Sequence, residues 1–159
     1  MKKSNLSATM PTMRLDMSRT AKSLGTEAGV WKSLHAATTK LVHWTRIEAR
    51  VGTGVPDLNG AMTDLEFWIE LKVVKTVSFK TEGLWRPGQV AWQTKRSAST
   101  PDRIWNLVSS PAGQSVRLYR GDKVFDLNRG IDAVTDFETH LPPNWFAMLE
   151  FIRGRNGKA

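Results

Sequence analysis

Phe67-Trp68-Ile69-Glu70-Leu71-Lys72-Val73-Val74 is the stretch on which the fold of this chain turns. It is aromatic, aliphatic or β-branched except for one acid and one amine two residues apart. As a strand it sends Glu70 and Lys72 to one face and Ile69, Leu71 and Val73 to the other. Trp68 and Val74 share the face of the charged pair, so partial burial is expected there. Taking a carboxylate and an ammonium out of water is costly unless something requires them in place. A divalent cation and a phosphate would.

Upstream, Val55-Pro56-Asp57-Leu58 reads as a short extended piece, and Asn59-Gly60 as a turn signal. The strand with Glu70 and Lys72 is predicted over 66–77, followed by a loop over 78–85. Pro87 sits where a first-turn proline belongs, so a helix is expected from Arg86 to Ser97. Before Pro56, Leu41 to Val51 mixes β-branched and polar residues as a strand does. Thr26 can cap a helix from Glu27 to about Thr39, with Val30, Trp31, Leu34 and Thr38 facing a core. Further strands are expected over 103–109 and 115–127, the second split at Gly121-Asp122. Short helices are expected over 132–140 and 144–153. Helices and strands in this order suit an α/β fold with a central mixed sheet flanked by helices. No internal repeat or second domain is evident.

At 159 residues, 40% of them hydrophobic and seven of them tryptophan, the chain can bury a real core. No apolar run of about 18 residues suggests a membrane span. Met1-Lys2-Lys3-Ser4 lacks the apolar segment of a secretory signal. The absence of cysteine removes disulfides, thiolate nucleophiles and cysteine-type zinc sites, and fits a reducing cytoplasm. His35, His43 and His140 have no metal-ligand spacing, and no glycine-rich nucleotide loop is present.

The net charge is +8, concentrated at the ends. Lys2, Lys3, Arg14, Arg19 and Lys22 face one acid, Asp16, and Arg153, Arg155 and Lys158 face none. Residues 1–24 therefore read as a flexible basic arm, 25–152 as the folded domain and 153–159 as a basic tail. Such ends suit a polyanion, or serve as solubilising tails.

Asp57, Glu70 and Lys72 form a minimal set for phosphodiester hydrolysis. Two carboxylates can hold Mg²⁺ with positions left for water and phosphate, the Leu71 carbonyl can add an oxygen, and the lysine can stabilise charge or orient water. Each also has an ordinary reading: Asp57 as a turn carboxylate after proline, Glu70 and Lys72 as a cross-strand ion pair.

Pro56-Asp57, twelve intervening residues and Glu70-Leu71-Lys72 together resemble the signature of the PD-(D/E)XK nuclease superfamily. Residues 26–34 (Thr-Glu-Ala-Gly-Val-Trp-Lys-Ser-Leu) are similar to the opening helix of its VRR-NUC branch, and Glu27 stands where that branch has a metal-site glutamate. Residues 86–92 (Arg-Pro-Gly-Gln-Val-Ala-Trp) are similar to its next helix, with Gln89 at the active-centre glutamine. The resemblance covers about residues 26–127. It implies a restriction-endonuclease-like core and hydrolysis of DNA with Mg²⁺ or Mn²⁺ to give 5′-phosphate ends. It also implies kinship with small phage nucleases and branched-DNA repair modules, often homodimers. Asp57, Glu70, Lys72 and Gln89 would be catalytic; Asp57, Glu70, the Leu71 carbonyl and Glu27 would bind metal. Glu48 rivals Glu27 as the third acid. Lys75, Lys80, Arg86, Lys95 and Arg96 are the expected phosphate contacts, and Trp85 the expected stacking residue. Gln93 would share the substrate-facing side of its helix with Gln89. The alternatives are a non-catalytic nucleic-acid-binding module of the same shape and a basic RNA-binding protein.

Overall fold

In the computed structural model, which describes residues 18–48 and 53–156, the Phe67–Val74 stretch supplies most of the third strand of a six-stranded mixed sheet. The described chain opens on helical residues 18–23 (α1), followed by α2 (Glu27–Thr38), β1 (His43–Arg46), β2 (Leu58–Met62) and β3 (Leu65–Val73). Then come α3 (Pro87–Ser99), β4 (Ile104–Ser110), β5 (Ser115–Arg120), α4 (Val124–Asn128), β6 (Phe137–His140) and α5 (Trp145–Asn156). The strands lie in chain order, β1 to β6. β3 and β4 are parallel and the other neighbours antiparallel. A parallel pair needs a crossover, and α3 provides it.

The alternation expected of the strand holds. Leu65, Phe67, Ile69 and Leu71 enter the larger core with Val30 and Leu34 of α2 and Met148, Leu149 and Ile152 of α5. On the opposite face Val74 joins Trp85, Val108, Tyr119, Val124 and Leu127. Helices therefore cover both faces, which is why β4 is buried along its whole length. Thr26 caps α2 as expected, its Oγ1 accepting the Gly29 N–H at 3.0 Å. Pro87 opens α3. Among the described residues no helix is long and apolar enough to cross a membrane.

Several expectations are corrected. Asn59-Gly60 is not a turn: both lie in β2, and the turn is Thr63-Asp64. A Cβ on Gly60 would meet Phe67 Cζ at 2.6 Å and Trp44 Cζ3 at 2.9 Å. The glycine makes room for aromatic rings packed across the sheet. The strand expected over 41–51 pairs over His43–Arg46, and positions 49–52 lie outside the described residues. The 66–77 strand ends at Val73, and Val77 is exposed. Residues 124–127 are helical, because Val124 and Leu127, three apart, pack on one face of α4 into the second core. The helix expected over 132–140 is absent: residues 132–136 take no regular structure, and Phe137–His140 form β6, whose residues alternate between half-buried and exposed.

The domain limits also shift. Residues 18–23 are helical and Leu24 is fully buried, so the N-terminal arm does not extend to residue 24; residues 1–17 lie outside the described part. The C-terminal tail is likewise shorter than 153–159. α5 continues to Asn156, and Arg153 and Arg155 pair with Asp64 and Asp102.

Candidate active site

Register brings the acids together. In the β2–β3 ladder Leu58 faces Ile69, so one step outward Asp57 stands opposite Glu70. Cross-strand partners project to the same side. Asp57 Oδ2 accepts the Leu71 backbone N–H at 2.9 Å, which ties the carboxylate to the strand carrying Glu70. The Asp57 carbonyl accepts the Ile47 N–H at 2.7 Å, extending the β1–β2 ladder beneath it.

Glu70 has no exposed surface, and Lys72 is buried with a small part of its side chain open. Lys72 Nζ donates to Glu70 Oε1 at 2.7 Å. The Gln89 Nε2 amide donates to the same oxygen. Gln89 Oε1 accepts the Arg86 N–H at 3.0 Å and lies 3.5 Å from Lys72 Nζ. Each end of the amide thus faces groups of the polarity it needs. Gln89 also satisfies a backbone donor at the start of α3, so the side chain that touches Glu70 helps hold its own helix end. Gly54, with φ +66°, runs against this end of α3, and a Cβ there would meet the Gly88 carbonyl oxygen at 2.1 Å. Only a glycine allows the segment before Asp57 to lie so close to Gln89.

These groups border a cleft of about 690 Å³. Asp57, Lys72 and Gln89 line it, as does Leu71, while Glu70 lies beneath them, held by Lys72 and Gln89. Glu27 and Glu48 both line it, so the two rivals for the third acid share one cavity. Burial first, and the neighbouring Asp57 second, push the Glu70 carboxyl up to about 7 against the opposing pull of Lys72. Partial burial raises the Glu27 carboxyl, with Lys72 lowering it, Asp57 raising it and Arg86 lowering it.

Among the described residues no set of three or more histidine, aspartate or glutamate side chains forms a metal cage. The donor set is nevertheless of a kind Mg²⁺ accepts: one or two carboxylates, with water completing the shell. Glu70 Oε2 is buried with no hydrogen-bond partner. An orphaned carboxylate oxygen beside a second carboxylate fits a bound cation, which would also favour the ionised form.

Of the expected phosphate contacts, Arg86 lines the cleft. Lys75, Lys80 and the Lys95–Arg96 pair line three other depressions. Trp85 is not available for stacking: it is buried, and its Nε1 donates to Asn106 Oδ1 at 2.8 Å. Gln93 does not line the cleft either. It is fully buried and exchanges two hydrogen bonds with the Asn106 amide, at 2.9 and 2.7 Å. Arg46 lines the cleft but escaped the sequence reading, because its nearness follows from its pairing with Leu58, which no local motif records. Neither a scan against protein-family models nor a search of curated proteins finds a match to this chain.

Proposed function

We propose that this protein is a metal-dependent DNA endonuclease of the PD-(D/E)XK type, acting at the cleft between β2, β3 and the start of α3. The observation that carries this reading is the convergence of Asp57, Glu70, Lys72 and Gln89, which are 32 residues apart at their extremes, at one cavity. The hexastranded mixed sheet with helices on both faces accommodates a restriction-endonuclease-like core.

Asp57, Glu70 and the Leu71 carbonyl would hold the metal, with Glu27 or Glu48 acting directly or through water. A bound Mg²⁺ or Mn²⁺ supplies Lewis acidity toward the phosphoryl oxygens and lowers the pKa of water. Lys72, anchored on Glu70, presents its ammonium at the floor of the cleft, where it can stabilise charge on a scissile phosphate or orient the attacking water. Gln89 fixes the Glu70 carboxylate, and Arg86 at the rim offers a phosphate contact. The products would be 5′-phosphate and 3′-hydroxyl ends. Branched DNA, cut by a homodimer, is the substrate the family likeness favours.

The test is a cleavage assay on matched duplex, single-stranded, flapped and four-way DNA with Mg²⁺, Mn²⁺ or EDTA. The expected result is metal-dependent cutting that EDTA abolishes while DNA binding survives. Binding without cutting under every metal condition would favour the non-catalytic module instead.

A further inference from the structure

The face of β3 that carries Glu70 and Lys72 also carries Trp68, and α3, which carries Gln89, also carries Trp92. The two indoles meet edge to face, with ring centroids 5.7 Å apart and planes at 63°. Both are half-buried, so the pair is held in place and yet reaches the surface. Beyond it, Trp92, Lys95, Arg96, Ser99 and Thr100 line a depression of about 460 Å³. Lys95 and Arg96 are exposed, and among the described residues neither has an ion-pair partner. No acid lines this depression. Glu66, next on the Trp68 face, accepts from Asn59 Nδ2 at 2.9 Å.

Spacing ties this surface to the cleft. Gln89, Trp92, Arg96 and Ser99 follow one another at three- and four-residue intervals, which places them along one stripe of α3. At 1.5 Å per residue, Gln89 to Arg96 spans about 10 Å, or roughly three nucleotides at 3.4 Å per step. A partly exposed, rigidly packed indole followed by two free cations is the combination that binds a nucleic-acid strand through its base faces and its phosphates. Base faces are accessible only where bases are unpaired.

We infer that Trp92, backed by Trp68, stacks on an unpaired nucleotide while Lys95 and Arg96 hold the adjoining phosphates, so that the site takes DNA with a single-stranded segment next to the scissile bond. The direction toward the cleft rests on the nuclease reading; the single-strand preference does not. The experiment is fluorescence-anisotropy titration of the full chain in EDTA with a labelled dT20 strand and with a blunt 20-base-pair duplex, across a salt series. Trp92→Ala is expected to weaken dT20 binding about tenfold and duplex binding less than about twofold, with Trp92→Phe restoring most of the loss. The K95A/R96A double variant, altered at exposed positions that leave the core intact, is expected to reduce the slope of log K against log salt on dT20 by about 1.4.

Unchanged dT20 affinity in Trp92→Ala, equal losses on dT20 and duplex, or an unchanged salt slope in the double variant would each overturn the subsite. Because EDTA separates binding from chemistry, a chain that binds dT20 in this Trp92-dependent way yet never cuts DNA would refute the nuclease reading and leave the subsite standing.

Discussion

Asp57 Oδ2 accepts the backbone N–H of Leu71 at 2.9 Å, so the first acid of the motif is hydrogen-bonded to the strand that carries the second. This bond fixes the Asp57 carboxylate relative to Glu70 without using a side-chain donor. Each group around it can be altered separately.

Asp57→Asn keeps an oxygen for the Leu71 N–H but removes the charge. It is expected to fold with little change in stability and to lose cleavage by on the order of a hundredfold or more. Asp57→Ala should lose activity equally and also cost about 1–2 kcal/mol of stability, since the Leu71 donor loses its partner. Single-turnover cleavage and urea denaturation measure the two effects. Parent-like cutting by the Asn variant would remove Asp57 from the chemistry.

Glu70 makes stability depend on pH. The folded protein holds this proton up to about pH 7, whereas the unfolded chain releases it near the ordinary glutamate value of 4.5. Across that window the folded state binds more protons, so its stability falls as pH rises. The raised Glu27 carboxyl acts in the same direction. In EDTA, thermal midpoints should decline between about pH 4.5 and 7, and Glu70→Gln should flatten the decline. At pH 7.5 Mg²⁺ should raise the midpoint of the parent but not of Glu70→Gln, by stabilising the ionised folded form. A pH profile indistinguishable between parent and variant would contradict the buried acid.

Gln89 links helix capping to the site, so Gln89→Ala is expected to reduce cleavage roughly tenfold to a hundredfold and stability by about 1 kcal/mol. Gln89→Glu should be more informative. A second carboxylate against Glu70 disfavours its ionisation, and the pH at which cleavage turns on should move upward. A shape-conserving Glu that left the rate–pH profile unmoved would show that Gln89 does not act through Glu70.

Asn106, the register partner of Glu70 on β4, holds a buried polar network together. Its amide satisfies Trp85 Nε1 and both ends of the Gln93 amide in a buried setting. Asn106→Leu would leave those groups unpaired and is expected to cost about 3 kcal/mol or more, lowering the thermal midpoint by roughly 6–12 °C. Cleavage per folded molecule should stay near the parent value. Circular-dichroism melts and active-site-normalised rates check both halves.

The local signals that proved sound were those with a local cause. The alternation along Phe67–Val74 was legible because strand side chains must alternate, and Thr26 and Pro87 marked helix starts because capping and a fixed φ act within one turn. Asn59-Gly60 misled because a glycine suited to a turn is equally suited to close packing, and its neighbours Phe67 and Trp44 are distant in sequence. Trp85 misled for a similar reason. Its polar surroundings in the chain suggested exposure, while Asn106 and Asn128, more than 20 residues away, bond its side chain and its backbone. Trp92 offered no signal of its own; it is half-buried, and it meets Trp68 across the α3–β3 contact, a pairing of residues 24 apart in sequence.

The sequence by itself determined that Glu70 and Lys72 share one face of a strand, and that helices begin at Glu27 and within a residue of Pro87. These follow from the geometry of a few consecutive residues. Only the tertiary structure decided that Asp57 lies opposite Glu70, that α3 turns Gln89 onto that carboxylate, that Arg46 joins the cleft, and that Trp85 is enclosed while Trp92 is not. Those outcomes depend on strand register and on which face each helix covers. Both are set by burying apolar surface from the whole chain at once, which no short stretch encodes.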